Sequence, residues 1–264
     1  MGDFMKKGKH YKKKKKNIKR SLLIIILIIS TVILTIKLHN KTKINNDKAL
    51  MNIANDDSQI ETEVTVNIKT ERMTKLEELQ KENSDIVAWL EIEGSNINYP
   101  ILQAKDNEYY MTRNYKKQYS KNGSLFLDKD YNWDLPSTNL LIYGHNNRGS
   151  NEMFSSLIKY KEKSYYNEHK KIRLTTNKED VEYEIIAVFL SRVYYKSEKD
   201  VFRYYYFINA ENEQEFNEYV ENSKKASLYD IDATAKYGDQ LLTLSTCEFS
   251  QEDGRLAVVA KKIN

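Results

Sequence analysis

A single cysteine, two prolines and eight glycines among 264 residues narrow what this chain can be. One cysteine leaves no intramolecular disulfide and no multi-cysteine zinc or iron–sulfur site. So few prolines and glycines exclude collagen-like and proline-rich low-complexity architectures. With 40% hydrophobic and 30% charged residues, the chain is neither disordered nor polytopic. Its length suits one to two domains with a sizeable core. The four histidines do not cluster, so no metal and no other cofactor is expected.

The net charge of +4 is a sum of two unlike parts. Residues 1–20 hold ten lysines and arginines against one acid, Asp3, and so carry +9; the remaining 244 residues carry −5. An acidic body argues against nucleic acid as a partner. Directly after the basic stretch, Ser21–Ile36 reads SLLIIILIISTVILTI, with no charge, glycine or proline. Sixteen helical residues reach about 24 Å against a hydrocarbon core of roughly 30 Å. Snorkelling by Arg20 and Lys37, with Leu38 extending the apolar face, allows one span. An uncleaved anchor is favoured over a cleaved signal, because no Ala-x-Ala-like site follows and the first alanine is Ala49. The start Met-Gly-Asp-Phe-Met-Lys lacks the Ser/Thr of a myristoylation signal. The positive-inside rule then gives a cytoplasmic tail (1–20), a membrane anchor (21–38), a polar extracytoplasmic spacer (39–70) and an extracellular catalytic or binding domain (71–264).

Within that domain, Thr74 and Glu77 have capping-box spacing, and Met73, Leu76 and Leu79 share a helical face. From Val87 the pattern turns to short β-like runs: 88–92, 97–102, 124–127, 139–143, 172–175, 183–190, 202–207, 240–246 and 255–261. Two helices interrupt them, one around Met153, Phe154, Leu157 and Ile158, the other carrying Phe216, Tyr219 and Val220 over 211–224. Many short strands with few helices predict a mainly β domain, a barrel or a sandwich with helical insertions. The twenty tyrosines read mostly as half-buried strand residues, with an aromatic binding groove as the minority reading.

Cys247 ends the run Leu-Leu-Thr-Leu-Ser-Thr-Cys, the edge of an expected strand. A free thiol there is a candidate nucleophile or, equally, a small buried hydrophobe. A polar turn and a second strand beginning at Arg255 follow; in a hairpin, Arg255 faces Cys247 and offers a fixed cation to a developing oxyanion. The alternative for Arg255 is a solvated partner of Glu252 or Asp253. A thiol nucleophile needs an acid/base partner, most often histidine. His10 and His39 fall before or beside the anchor, and His169 sits in a polar stretch and reads as surface. His145, after an apolar strand and Gly144, remains by elimination.

Thr-Leu-Ser-Thr-Cys-Glu (243–248), Asp-Gly-Arg-Leu-Ala-Val-Val-Ala-Lys (253–261) and Tyr-Gly-His (143–145) together resemble the sortase family, and more narrowly its class B. Val-Ala-Trp-Leu-Glu-Ile (87–92), Ile-Asn-Tyr-Pro-Ile-Leu-Gln (97–103), Gly-Ser-Leu-Phe-Leu-Asp (123–128) and Met-Phe-Ser-Ser-Leu (153–157) extend the resemblance over 73–263. It implies a closed barrel of about eight strands with an N-terminal helix, and a cysteine transpeptidase of the Gram-positive cell wall. Cys247 would attack the carbonyl after the threonine of a C-terminal sorting motif in a secreted protein, giving a thioacyl enzyme. A peptidoglycan-precursor amine would resolve it, with His145 as acid/base and Arg255 holding the carbonyl oxygen. Ser245 and Tyr143, each two residues from a catalytic position, are candidate substrate contacts with Thr246 and Glu248. Members of this class often handle Asn-Pro-x-Thr-like motifs. Phe249 stands where some relatives have a carboxylate, which favours a His–Cys–Arg set over a triad. Two alternatives stay open: an extracytoplasmic cysteine endopeptidase using the same residues, and a non-catalytic surface-binding domain with Cys247 in its core.

Overall fold

The computed structural model describes residues 59–263, with side chains from residue 71. The chain from Ile68 onward is one compact unit, and residues before it belong to a separate one. The basic tail and the apolar run 21–38 lie outside the described residues. Among the described residues no helix is long and apolar enough to cross a membrane.

Eight strands close into a barrel: β1 (Ile86–Glu91), β2 (Asn98–Leu102), β3 (Leu125–Leu127), β4 (Asn139–Tyr143), β5 (Lys171–Thr175), β6 (Asp180–Arg192), β7 (Leu241–Cys247) and β8 (Gly254–Lys262). Around the barrel the order is β1-β2-β3-β4-β7-β8-β6-β5, closed by β5 on β1. The β2/β3 and β4/β7 pairs are parallel and the rest antiparallel. Strand alternation sorts side chains into two cores. Leu90, Leu127, Leu140, Ile142, Leu174, Ile185, Leu242, Leu244, Leu256 and Val258 fill the interior. On the outer face Leu141, Leu241, Ala257 and Val259 meet Phe189, Tyr204, Phe216, Tyr219 and Val220. Burial on both faces explains why β4, β7 and β8 read as continuous apolar runs rather than alternating ones.

Among the described residues there are three α-helices: α1 (Gln59–Glu82), α2 (Lys163–Glu168) and α3 (Glu213–Ala226). Leu76 of α1 is buried with Ile86, Leu102 and Tyr110, and Arg72 pairs with Glu91. The helix begins well inside the stretch read as a spacer, so Thr74 lies within it and is not an N-cap. Two residues at capping spacing do not outweigh a helix continuing on both sides of them. The α3 helix starts at Asn212, whose side chain accepts from Glu215 N, and presents Phe216, Tyr219 and Val220 to the outer core.

The run 202–207 is not a strand. It forms a 3-10 turn at Tyr204–Tyr206, because Phe202 and Tyr204 pack on Phe189 (ring centroids 5.7 and 5.4 Å) and Phe207 stacks on Tyr219 at 4.0 Å. A closed barrel offers that segment no free edge to pair with. The apolar face at Met153–Ile158 makes a 3-10 helix at Ser155–Lys161 rather than an α-helix, burying Leu157 and Tyr160 three residues apart. His169 is also not simply surface: its ring stacks on Tyr165 at 4.0 Å and its Nδ1 donates to the Tyr165 carbonyl at 3.0 Å.

Candidate active site

Registers of neighbouring strands assemble the site. In the parallel β4/β7 pair Tyr143 stands beside Ser245, and two residues on, His145 emerges on the same face as Cys247. In the antiparallel β7/β8 pair Cys247 stands directly across from Arg255. Three adjacent chains, about 4.8 Å apart, thus present His145, Cys247 and Arg255 in one row on the outer face. All three border a cavity of about 260 Å³. Its other walls are Asn107 and Met111 from the β2–β3 connection, Val193, Tyr204 and Tyr205 from the β6–α3 connection, and Phe126, Tyr143, Gly144, Ser245 and Thr246 from the barrel.

Side-chain hydrogen bonds fix this geometry. His145 Nε2 donates to the Met111 carbonyl at 2.7 Å, which leaves Nδ1 as the lone-pair nitrogen of the neutral ring. Asn146 Nδ2 donates to the Cys247 carbonyl at 2.9 Å, and Thr246 Oγ1 to the Gly144 carbonyl at 2.7 Å. One guanidinium nitrogen of Arg255 holds the carbonyls of Asp253 and Gly254 at 3.1 and 2.9 Å. The rest of the fork is left over for a ligand. Gly144 is required by packing: a Cβ there would come within 2.7 Å of the Phe154 ring and closer still to Leu125 Cδ2.

The aromatic wall is neutral and hydrogen-bonded. Burial, helped by the Asp128 carboxylate, pushes the Tyr143 phenol far above its ordinary range, with Arg255 opposing. Burial pushes Tyr204 up to about 12, against a hydrogen bond with Ser245 and the Arg255 charge. The two phenols thus stay protonated: Tyr143 donates to Asp128 at 3.0 Å, while Tyr204 and Ser245 share a 2.7 Å bond.

Of the residues singled out from the sequence, Cys247, His145, Arg255, Ser245, Tyr143 and Thr246 border one cavity. The Ser245 and Thr246 hydroxyls are, however, already engaged within the protein. Glu248 does not line the cavity: it is 6% exposed, pairs with Lys161 at 2.9 Å and accepts from the Ser250 backbone and hydroxyl. Burial works against its charge, but those bonds prevail and bring its carboxyl down to about 2. It braces the turn after the cysteine. Phe249 faces solvent beneath the Arg148 guanidinium, 4.1 Å from the ring centroid. Sequence reasoning missed Asn107, Met111 and Asn146, which lie outside any strand and act through a backbone carbonyl or a single amide, leaving no pattern to read, and Tyr205, an aromatic wall of the cleft inside a run of tyrosines. Among the described residues no group of three or more His, Cys, Asp or Glu could hold a metal ion.

A sortase-domain family profile matches residues 90–263. Sortase B of Listeria monocytogenes is 32% identical over 229 residues, covering 85% of each chain. Sortase B of Staphylococcus aureus is 32% identical over 191 residues, 72% of this chain and 75% of that one. Among solved structures, a Staphylococcus aureus sortase B–substrate complex superposes with a TM-score of 0.65 at 26% identity, covering 86% of this chain and 99% of that one.

Proposed function

Because the chain belongs to the sortase family, as a cysteine transpeptidase of the sortase B type, we propose that it joins secreted proteins to the cell wall at a C-terminal sorting motif. One observation carries the reading: a nucleophile, an acid/base and a fixed cation stand in a row on three adjacent chains, bordering one largely apolar cleft.

His145 Nδ1 takes the Cys247 thiol proton as the sulfur attacks the carbonyl carbon after the motif's threonine, and the oxyanion that develops lies against the free donors of Arg255. As the C–N bond breaks, His145 gives a proton to the departing amine through Nδ1, the nitrogen Met111 does not hold. The thioester then takes an amine of a peptidoglycan precursor; His145 accepts its proton, the C–S bond breaks and Cys247 is regenerated. The cleft's Met111, Phe126, Val193 and Tyr205 suit an apolar peptide segment and keep water from the thioester. The basic stretch 1–20 and the uncharged run 21–38 support a single cytoplasm-to-exterior anchor that holds this domain at the outer membrane surface.

The test is intact mass spectrometry of the protein with a panel of Asn-Pro-x-Thr peptides, with and without an amine such as triglycine. The expected result is an acyl adduct on Cys247 that turns over faster with amine and is absent in Cys247→Ala. No adduct with any peptide, alongside a fully labelled thiol, would sink the reading.

A further inference from the structure

Next to the reacting groups lies a buried charge that the proposed chemistry does not use. Asp128 follows β3, is 4% exposed, and its backbone N–H donates to Leu141 of β4 at 2.8 Å. Oδ2 accepts from Tyr143 Oη at 3.0 Å and from Asn107 Nδ2 at 2.8 Å, while Oδ1 accepts from Asp130 N at 2.9 Å. Asn107 is held again from its other end, its Oδ1 accepting from Lys129 N at 2.8 Å. Among the described residues no ion pair includes Asp128. A buried carboxylate answered by neutral donors is an expensive way to fill space. What this one does is join two walls of the cleft, Tyr143 on β4 and Asn107 at the start of the β2–β3 connection.

We propose that Asp128 is a positioning residue for peptide binding: its carboxylate ties the β2–β3 connection to β4 and so sets where Asn107 and Tyr143 stand across the cleft. The inference rests on the transpeptidase reading. It separates cleanly from the chemistry, because the far end of the same connection is anchored by other bonds. Ser124 N donates to the Tyr110 carbonyl at 3.0 Å and Ser124 Oγ to the Arg113 carbonyl at 2.8 Å, on either side of the Met111 carbonyl that holds His145. Loosening Asp128 therefore frees the side chains of Asn107 and Tyr143, while the β4 backbone stays paired with β7 and leaves His145, Cys247 and Arg255 in place.

The experiment is steady-state and single-turnover kinetics of the full chain with the best acylating peptide of the panel, with Cys247 labelling by a methanethiosulfonate in parallel. Asp128→Asn turns one of the two acceptors into a donor that meets another donor, Asn107 Nδ2 on one side or Asp130 N on the other. It should raise KM about ten-fold or more, with acylation at saturating peptide within roughly three-fold of wild type and the labelling rate unchanged. Exchanging the pair, Asp128→Asn with Asn107→Asp, restores a donor opposite an acceptor and should bring KM back to within about three-fold. If Asp128→Asn does not fold, the exchanged pair and Tyr143→Phe carry the test, the latter with a KM increase of about three- to ten-fold. A KM unchanged in Asp128→Asn, or a loss that the exchange does not recover, would overturn the positioning role while wild-type turnover stands. A wild-type protein inert to every peptide would overturn the transpeptidase reading and this inference with it.

Discussion

Gly144→Ala offers the sharpest test of how the barrel positions the acid/base residue. The added methyl would stand 2.7 Å from Phe154 Cδ2 and nearer to Leu125 Cδ2, and both side chains are fully buried. The backbone cannot swing aside, because Gly144 N donates to Ser245 at 3.2 Å, Gly144 O accepts from Thr246 and His145 O accepts from Phe154 N at 3.0 Å. Overpacking of this kind costs about 1–3 kcal/mol. For a compact unit of about 200 residues each kcal/mol moves Tm by roughly 2–4 °C, so the midpoint should fall by ~2–12 °C. Activity should suffer more: His145 is the next residue, and a shift of about 1 Å in a reacting group costs on the order of a hundred-fold. Differential scanning calorimetry measures the shift in midpoint, and transpeptidation of a sorting peptide, at a temperature where the variant is folded, measures the loss of activity. Leu125→Val removes the nearest clashing atom, so the double variant should lose less than the sum of the singles. Wild-type midpoint and turnover in Gly144→Ala would refute the argument that packing at this glycine sets His145.

Three further outcomes follow from the site. Arg255→Lys keeps the charge but not the fork, and transpeptidation should fall about a hundred-fold with Cys247 labelling retained; near-normal turnover would contradict the oxyanion role. Glu248 titrates near 2 rather than its ordinary 4.5, so its stabilisation is present above about pH 4.5 and lost as the pH falls towards 2. Glu248→Gln should therefore lower Tm at neutral pH and match wild type near pH 2; a pH-independent difference between the two proteins would refute the assignment. Tyr204→Phe removes the partner of the buried Ser245 hydroxyl and should cost about 1 kcal/mol, with Tm as the readout; an unchanged Tm would show that the pair contributes nothing.

Strands buried on one or both faces announced themselves in the sequence, and so did the order in which chemistry-bearing residues end them: His145 after β4, Cys247 at the end of β7, Arg255 at the start of β8. Register was legible only where a hairpin imposed it, as for Cys247 and Arg255. The β4/β7 pairing joins segments about a hundred residues apart, and no local pattern encodes that. The aromatic run 202–207 misled because β-propensity measures fit to a half-buried surface, and here the surface is the outside of the barrel under α3. Glu248 misled for a related reason: its neighbour in sequence is the nucleophile, but its neighbour in space is Lys161, from a different element.

The parallel β4/β7 register is the most consequential feature of the fold, because a slip of one residue would turn every side chain of one strand to the opposite face. His145 would then point towards the barrel interior while Cys247 remained outside, and the pair would be lost without any residue changing. Beyond the last backbone pair, Tyr143 beside Ser245, two side-chain bonds hold that register: Thr246 Oγ1 to Gly144 O, and Asn146 Nδ2 to Cys247 O. Each reaches from one strand end to the backbone of the other, so each is satisfied only in register. Thr246, whose sequence position suggests a substrate contact, thus has a reason to be a hydroxyl that needs no substrate. Thr246→Val keeps shape and removes the bond. It should slow acylation more than it lowers Tm, since the strands stay paired upstream while their reactive ends drift; a parallel loss of both would mean that the bond supports folding alone.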